Sequence, residues 1–175
     1  MIKICLVDDH ELLLRGLAMI IDSQTDFEVM HTYGAGQEIL DFLATNPSID
    51  LLMLDVNLPD MEPEDLLSKI REINPSLPII YLTILRGSRV FHRLEKFSFQ
   101  GYLLKDTSYE ELFEAIRVVN GGGTYYSKSI EFDFAKDQSI QENGYVTKSA
   151  GGVLSRREKE ILTLVCREYS SAQIA

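Results

Sequence analysis

The sequence predicts an open α/β fold, a five-stranded parallel sheet with helices on both faces. Three observations carry this. Up to about residue 120, short apolar runs alternate with segments of helical period. Several of those runs are continuously apolar, as strands covered on both faces require. The units number five, which suits right-handed crossovers in a single open sheet and falls short of an eight-unit barrel.

The strand segments are IKICLV (2–7), FEVMHTY (27–33), IDLLML (49–54), PIIYL (78–82) and QGYLLK (100–105). In the first helical segment Leu13, Leu17, Ile20 and Ile21 share one face. Ile39, Leu40 and Leu43 mark the second, and Leu66, Leu67, Ile70 and Ile73 the third. The fourth, around 88–97, is less regular. The fifth opens with SYEE, a capping box with Ser108 as N-cap and Glu111 three residues on, and GGG at 121–123 stops it. Residues 129–152 lose periodicity and gain Ser, Gln, Asn and Gly, the composition of an interdomain linker.

Composition narrows the function. The chain has 175 residues, 45% of them hydrophobic, enough for one good core and a second element. No apolar run reaches the length of a membrane span, and MIKICLVDDH is too short in its apolar part for a secretory signal, so a cytoplasmic protein is expected. Cys5 and Cys166 are too few and too far apart for a disulfide framework or zinc site and read as reduced core thiols. The net charge of −10 is uneven: residues 1–128 hold 11 Lys+Arg against 20 Asp+Glu, and residues 129–175 hold 6 against 7. An acidic body is a poor partner for phosphates.

Ligands of open α/β sheets bind beyond the carboxyl ends of the strands. There the sequence places Asp8 and Asp9, Asp55, Thr83 and Lys105. Each has an ordinary explanation alone: Asp as a helix cap or turn residue, Thr as a strand residue, Lys as a solvated charge. Together they describe a phosphoryl-transfer site. Crowded carboxylates need a cation, and an all-oxygen set suits Mg²⁺. A lysine and a hydroxyl beside one nucleophilic carboxylate would neutralise a transferring phosphoryl group.

In order and spacing LVDDH, LLMLDVNLP, YLT and GYLLKD resemble the receiver domain of bacterial two-component response regulators, over residues 1–128. The resemblance implies a flavodoxin-like (βα)5 fold with strand order 2-1-3-4-5. It makes Asp55 the phospho-acceptor for a sensor histidine kinase. Asp8, Asp9, Asp55 and the Asn57 carbonyl would hold Mg²⁺, and Lys105 would pair with the phosphoryl group. Thr83 and Tyr102 would form a switch pair, the hydroxyl moving toward the phosphate and the ring following inward, so that the surface formed by the fourth helix, fifth strand and fifth helix changes.

The sequence departs from that pattern at three places. Pro63 stands near a usual glycine and should open the third helix with the site intact. Ile84 follows the switch threonine where relatives carry Ala or Ser, and could obstruct access to the acyl phosphate or alter how Thr83 moves. Phe97 and Phe99 replace small residues, as core packing or as a docking patch. His10, His31 and His92 show no ligand spacing, and the resemblance makes His10 an ordinary helix-start residue.

The closing LSRREKEILTLVC again opens with a capping box, SRRE, and could be a plain C-terminal helix. LSRREKEIL followed by SSAQIA resembles the start of the LuxR-type helix-turn-helix domain of NarL/FixJ-type regulators, which implies a domain beginning at 153–175 without its recognition helix. Those residues carry a net charge of +1. The expected function is transcription regulation by phosphorylation, without enzyme turnover; the receiver could pair with a second copy, and specific DNA binding would belong only to the full-length protein. Two other classes share these features: a phosphorylation-independent interaction module, and a haloacid-dehalogenase-type phosphatase, which would want an Asp where Asn57 stands. A nucleotide-binding enzyme is disfavoured, since GAGQEI at 34–39 lacks a third glycine.

Overall fold

The computed structural model describes residues 1–45, 47–84, 91 and 93–127. The expectations for the linker (129–152), the closing segment (153–175), Cys166, His92 and most of the fourth helical segment lie outside these residues.

Six parallel strands form one sheet in the order β2-β1-β3-β4-β5-β6: β1 (Ile2–Val7), β2 (Phe27–Tyr33), β3 (Leu51–Asp55), β4 (Ile79–Thr83), β5 (Gly101–Leu104) and β6 (Tyr125–Tyr126). Among the described residues, helices α1 (Glu11–Asp22), α2 (Gly36–Ala44), α3 (Pro63–Ile73) and α4 (Tyr109–Asn120) lie between them, with a 3-10 turn at Glu95–Phe97. Among the described residues no helix is long and apolar enough to cross a membrane.

Strand residues point alternately to the two faces, and the core divides accordingly. Cys5, Val7, Leu52, Leu54, Ile79, Tyr81, Tyr102 and Leu104 pack with Ile39, Leu40 and Leu43 of α2 and Leu66, Leu67 and Ile70 of α3. Ile4, Leu6, Leu51, Met53, Ile80, Leu82 and Leu103 pack with Leu14 and Ile21 of α1 and Leu112, Ile116 and Val119 of α4. Both faces of the central strands are therefore covered, which is why their sequence is continuously apolar.

Four details differ from the sequence expectation. The sheet has six strands rather than five, because the turn at Gly121–Gly123 (Gly122 at φ +86°) reverses the chain so that Tyr125 N–H donates to Gln100 O at 2.9 Å. On α1, Leu14 and Ile21 are buried, while Leu13, Leu17 and Ile20 are only half-buried. Ile73, at the last turn of α3, is 41% exposed. The SYEE box at α4 is half made: Ser108 Oγ accepts from Glu111 N–H at 3.3 Å, but the Glu111 carboxylate turns to the Thr107 hydroxyl. Pro63 does open α3. Phe99 is core, and Phe97 packs partly against it.

Candidate functional site

Parallel pairing brings the carboxyl ends of β1, β3, β4 and β5 into line. Val7 pairs with Leu54, Asp55 with Leu82, and Thr83 with Leu104. The bonds continue one step past the strands, with Val56 N–H donating to Leu82 O at 3.1 Å and Lys105 N–H to Thr83 O at 2.7 Å. Register alone thus delivers Asp8, Asp55, Thr83 and Lys105 to one edge.

Lys105 Nζ lies 2.6 Å from Asp8 Oδ2 and 2.9 Å from Asp55 Oδ2. Asp8 and Asp55 are almost fully buried, and Lys105 nearly so. Burial pushes the Asp55 carboxyl above its ordinary range; Lys105 and the Asn57 backbone amide oppose this, and the Asp8 charge adds to it. For Lys105 burial works downward, but the hydrogen bonds and charges of Asp8 and Asp55 win, and its ammonium is held above the usual value. The lysine is a counter-ion for two carboxylates that cannot otherwise share so small a space.

Asp9 stands at the rim, half-exposed, with Asn57 exposed beside it. His10 is the N-cap residue of α1, as expected, but it also joins the cluster: its Nδ1 lies 3.0 Å from Asp8 Oδ1 and 2.7 Å from Asp9 Oδ1. Ligand atoms of Asp8, Asp9, His10 and Asp55 all lie within 4.8 Å of one another. Asp55 Oδ1 is buried without a hydrogen-bond partner. A buried orphan carboxylate oxygen beside two further carboxylates is what a hard divalent cation would satisfy, so the donor set fits Mg²⁺.

Thr83 is buried directly behind this edge. Tyr102 is buried as well, and its ring stands inward among Phe91 (5.4 Å between centroids), Phe99 (5.9 Å) and Tyr81 (6.4 Å). Burial raises the Tyr102 phenol, and the Thr83 hydroxyl partly offsets this. The open pocket over Asp55 is lined by Asp9, His10, Leu13, Asn57, Ile84 and Lys105. Ile84 is 70% exposed at its mouth. Leu13 and Lys105 also border a second, apolar groove between α1 and α4, lined by Leu17, Ile20, Leu82, Leu104, Tyr109 and Leu112.

Every residue singled out from the strand ends is present at this edge. Sequence spacing reports neither the contact of His10 with the acidic pair nor that of Phe91 with Tyr102. The string DDH was the available signal for the first; the second left none, since Phe91 meets Tyr102 only through the fold.

The response regulator receiver domain family matches residues 4–117. The oxygen regulatory protein NreC of Staphylococcus epidermidis is 31% identical over 177 residues, covering 99% of this chain and 81% of that protein. A two-component response regulator of the LuxR family from an Aurantimonas species superposes with a TM-score of 0.73 at 23% identity, over 78% of this chain and 97% of that one. A structure of the response regulator RcsB of Salmonella typhimurium gives a TM-score of 0.73 at 22% identity, over 99% of this chain and 81% of that one. At these identities the two structures show the shared fold.

Proposed function

Because the chain belongs to the response regulator receiver domain family, we propose that it is switched by phosphorylation of Asp55 by a sensor histidine kinase. The observation that carries this reading is the Lys105 ammonium held 2.9 Å from Asp55 and 2.6 Å from Asp8 at the carboxyl edge of the sheet. A carboxylate oxygen of Asp55 attacks phosphorus, the P–N bond to the kinase histidine breaks, and an acyl phosphate forms. Asp8, Asp9, Asp55 and the Asn57 carbonyl would hold Mg²⁺, which when bound would neutralise charge on the transferring group. Lys105 exchanges a carboxylate partner for a phosphoryl oxygen. Thr83, against the same edge, turns its hydroxyl toward the new dianion, and the inward Tyr102 ring occupies the space behind it.

The donor must approach through the mouth bordered by Leu13 and Ile84. From Leu13 the apolar surface continues along the groove between α1 and α4 to Tyr109, 57% exposed, and the neighbouring Leu12 of α1 is 87% exposed outside that groove. An apolar surface running up to a reactive carboxylate suits a kinase helix that presents its phosphohistidine. In our reading the receiver spans residues 1–128, a linker follows over 129–152, and residues 153–175 begin a LuxR-type helix-turn-helix domain through which the switch controls transcription. DNA binding would then be a property of the full-length protein.

Incubation with a small phosphodonor and Mg²⁺, followed by intact-mass measurement, tests the proposal. The expected result is a single phosphoryl adduct, lost in Asp55→Asn. No adduct in wild type under any donor condition would overturn it, as would sustained turnover of aryl phosphates, which belongs to a phosphatase.

A further inference from the structure

Helix α2 begins at Gly36 with Ala35 as its N-cap residue, and Ala35 has no side chain able to accept a hydrogen bond. The acceptor comes from elsewhere in the chain. Asp60, in the loop after β3, takes the Gly36 N–H on Oδ1 and the Gln37 N–H on Oδ2, each at 2.9 Å. Glu38 Oε2 takes the Gly34 N–H, also at 2.9 Å. Gly36 allows the approach: a Cβ there would lie 3.3 Å from Leu66 Cδ2 and 3.4 Å from Asp60 Oδ1. Burial pushes the Asp60 carboxyl up, but the Gly36 and Gln37 amides prevail and hold it below the usual carboxylate range.

The same carboxylate fixes one end of the loop that frames Asp55. The other end is fixed at Val56, whose N–H donates to Leu82 O at 3.1 Å. Only 57–59 lie between these anchors, and Pro59 stiffens them. Within that short bridge is Asn57, whose backbone amide favours the charged Asp55. We propose that Asp60 is a positioning residue of the phosphoryl site, which by capping α2 fixes the Asn57 backbone against Asp55 and so sets the affinity for the divalent cation. The proposal rests on the reading of Asp55, Asp8 and Asp9 given above. With Asp60 removed the loop keeps the Val56 bond and the partial packing of Leu58 and Met61 but loses its polar anchor, and a backbone ligand with more freedom binds the cation less tightly.

The test is calorimetric Mg²⁺ binding to wild type, Asp60→Ala and Asp60→Asn, with Asp50→Ala as control. Asp50 Oδ2 accepts from Lys3 N–H at 2.8 Å at the far edge of the sheet, so its loss removes a comparable carboxylate–backbone bond away from the site. Asp60→Ala is expected to weaken Mg²⁺ roughly tenfold, with the same shift in the Mg²⁺ concentration that half-saturates phosphorylation and little change at saturation. Asp60→Asn, with one acceptor oxygen, should fall between. Asp50→Ala should lower the melting temperature and leave Mg²⁺ affinity alone. If Asp60→Ala does not fold, Asp60→Asn decides. Wild type that binds Mg²⁺ no better than Asp60→Asn overturns the proposal by itself. Wild type that binds no Mg²⁺ overturns the reading of the site and this proposal with it.

Discussion

Replacing Lys105 with methionine keeps the apolar stem and removes the charge. In wild type the ammonium stands 2.6 Å from Asp8 and 2.9 Å from Asp55, both almost fully buried. Carboxylate oxygens within 4.8 Å of each other repel by about 3.5 kcal/mol at an effective dielectric constant of ~20. Each lysine–carboxylate contact attracts by about 6 kcal/mol on the same scale, before desolvation takes back most of it. Removal of one partner from such a buried cluster typically costs ~3–5 kcal/mol. Without divalent cation, Lys105→Met should therefore lose about 3 kcal/mol in urea unfolding and melt roughly 10 °C lower. Mg²⁺ should then restore more stability to the variant than it adds to wild type, because it takes over the neutralising role; at a hundred times its Kd a ligand adds ~2.7 kcal/mol. Phosphorylation should remain slow even with Mg²⁺ saturating, since the partner of the phosphoryl oxygen is gone. Lys105→Met as stable as wild type in chelator would refute the coupling of the three groups. So would a loss that Mg²⁺ leaves unchanged.

Ile84→Ala, which opens the mouth of the Asp55 pocket, should speed hydrolysis of the acyl phosphate several-fold, read as the decay of the phosphorylated mass. Leu12→Glu should raise the KM for a phosphorylated kinase about tenfold, the worth of one buried leucine, while phosphorylation by a small donor stays as in wild type. Gly101→Ala would place a Cβ 2.6 Å from Ile80 Cγ1 in the middle of the sheet; a loss of ~1–3 kcal/mol is expected from chemical denaturation. The acid limb of stability should report Asp60. Its folded carboxyl is held below the ordinary value, so the stability it contributes is present above about pH 4 and is lost as pH falls through the folded pKa. Unfolding curves of wild type and Asp60→Asn should therefore converge on acidification below that value, and a gap that persists unchanged to the lowest pH would contradict the assignment.

The strand ends were legible because a parallel sheet converts sequence directly into place. Strands that start in register finish in register, so Asp8, Asp55, Thr83 and Lys105 meet without any information beyond the length of each apolar run. Contacts that depend on loop paths were not legible. Asp60 reaches Gly36 across 24 residues, and no helical or strand period links the two. The sixth strand is two residues, Tyr125–Tyr126, below the length at which alternation can be recognised. His10 was visible as a helix start, but its turn back onto Asp8 and Asp9 depends on a side-chain torsion that spacing does not report.

Helix α1 shows where sequence and structure disagree to most purpose. Its apolar residues span more than one face: Leu12, Leu13, Leu14, Leu17, Met19, Ile20 and Ile21. The core uses Leu14 and Ile21 fully, and packs only partly against Leu17. Leu12 and Met19 are 87% and 77% exposed. A soluble helix needs one apolar stripe, and a surplus is normally spent on burial elsewhere. Part of the surplus lines the site: Leu13 borders both the acidic pocket over Asp55 and the groove to α4, and Leu17 and Ile20 continue that groove, while Leu12 and Met19 line neither. In the proposed reading a sensor kinase would dock on the apolar face beside Asp55, and the leucines of the first helix, which periodicity registers only as an ill-defined face, would carry that contact.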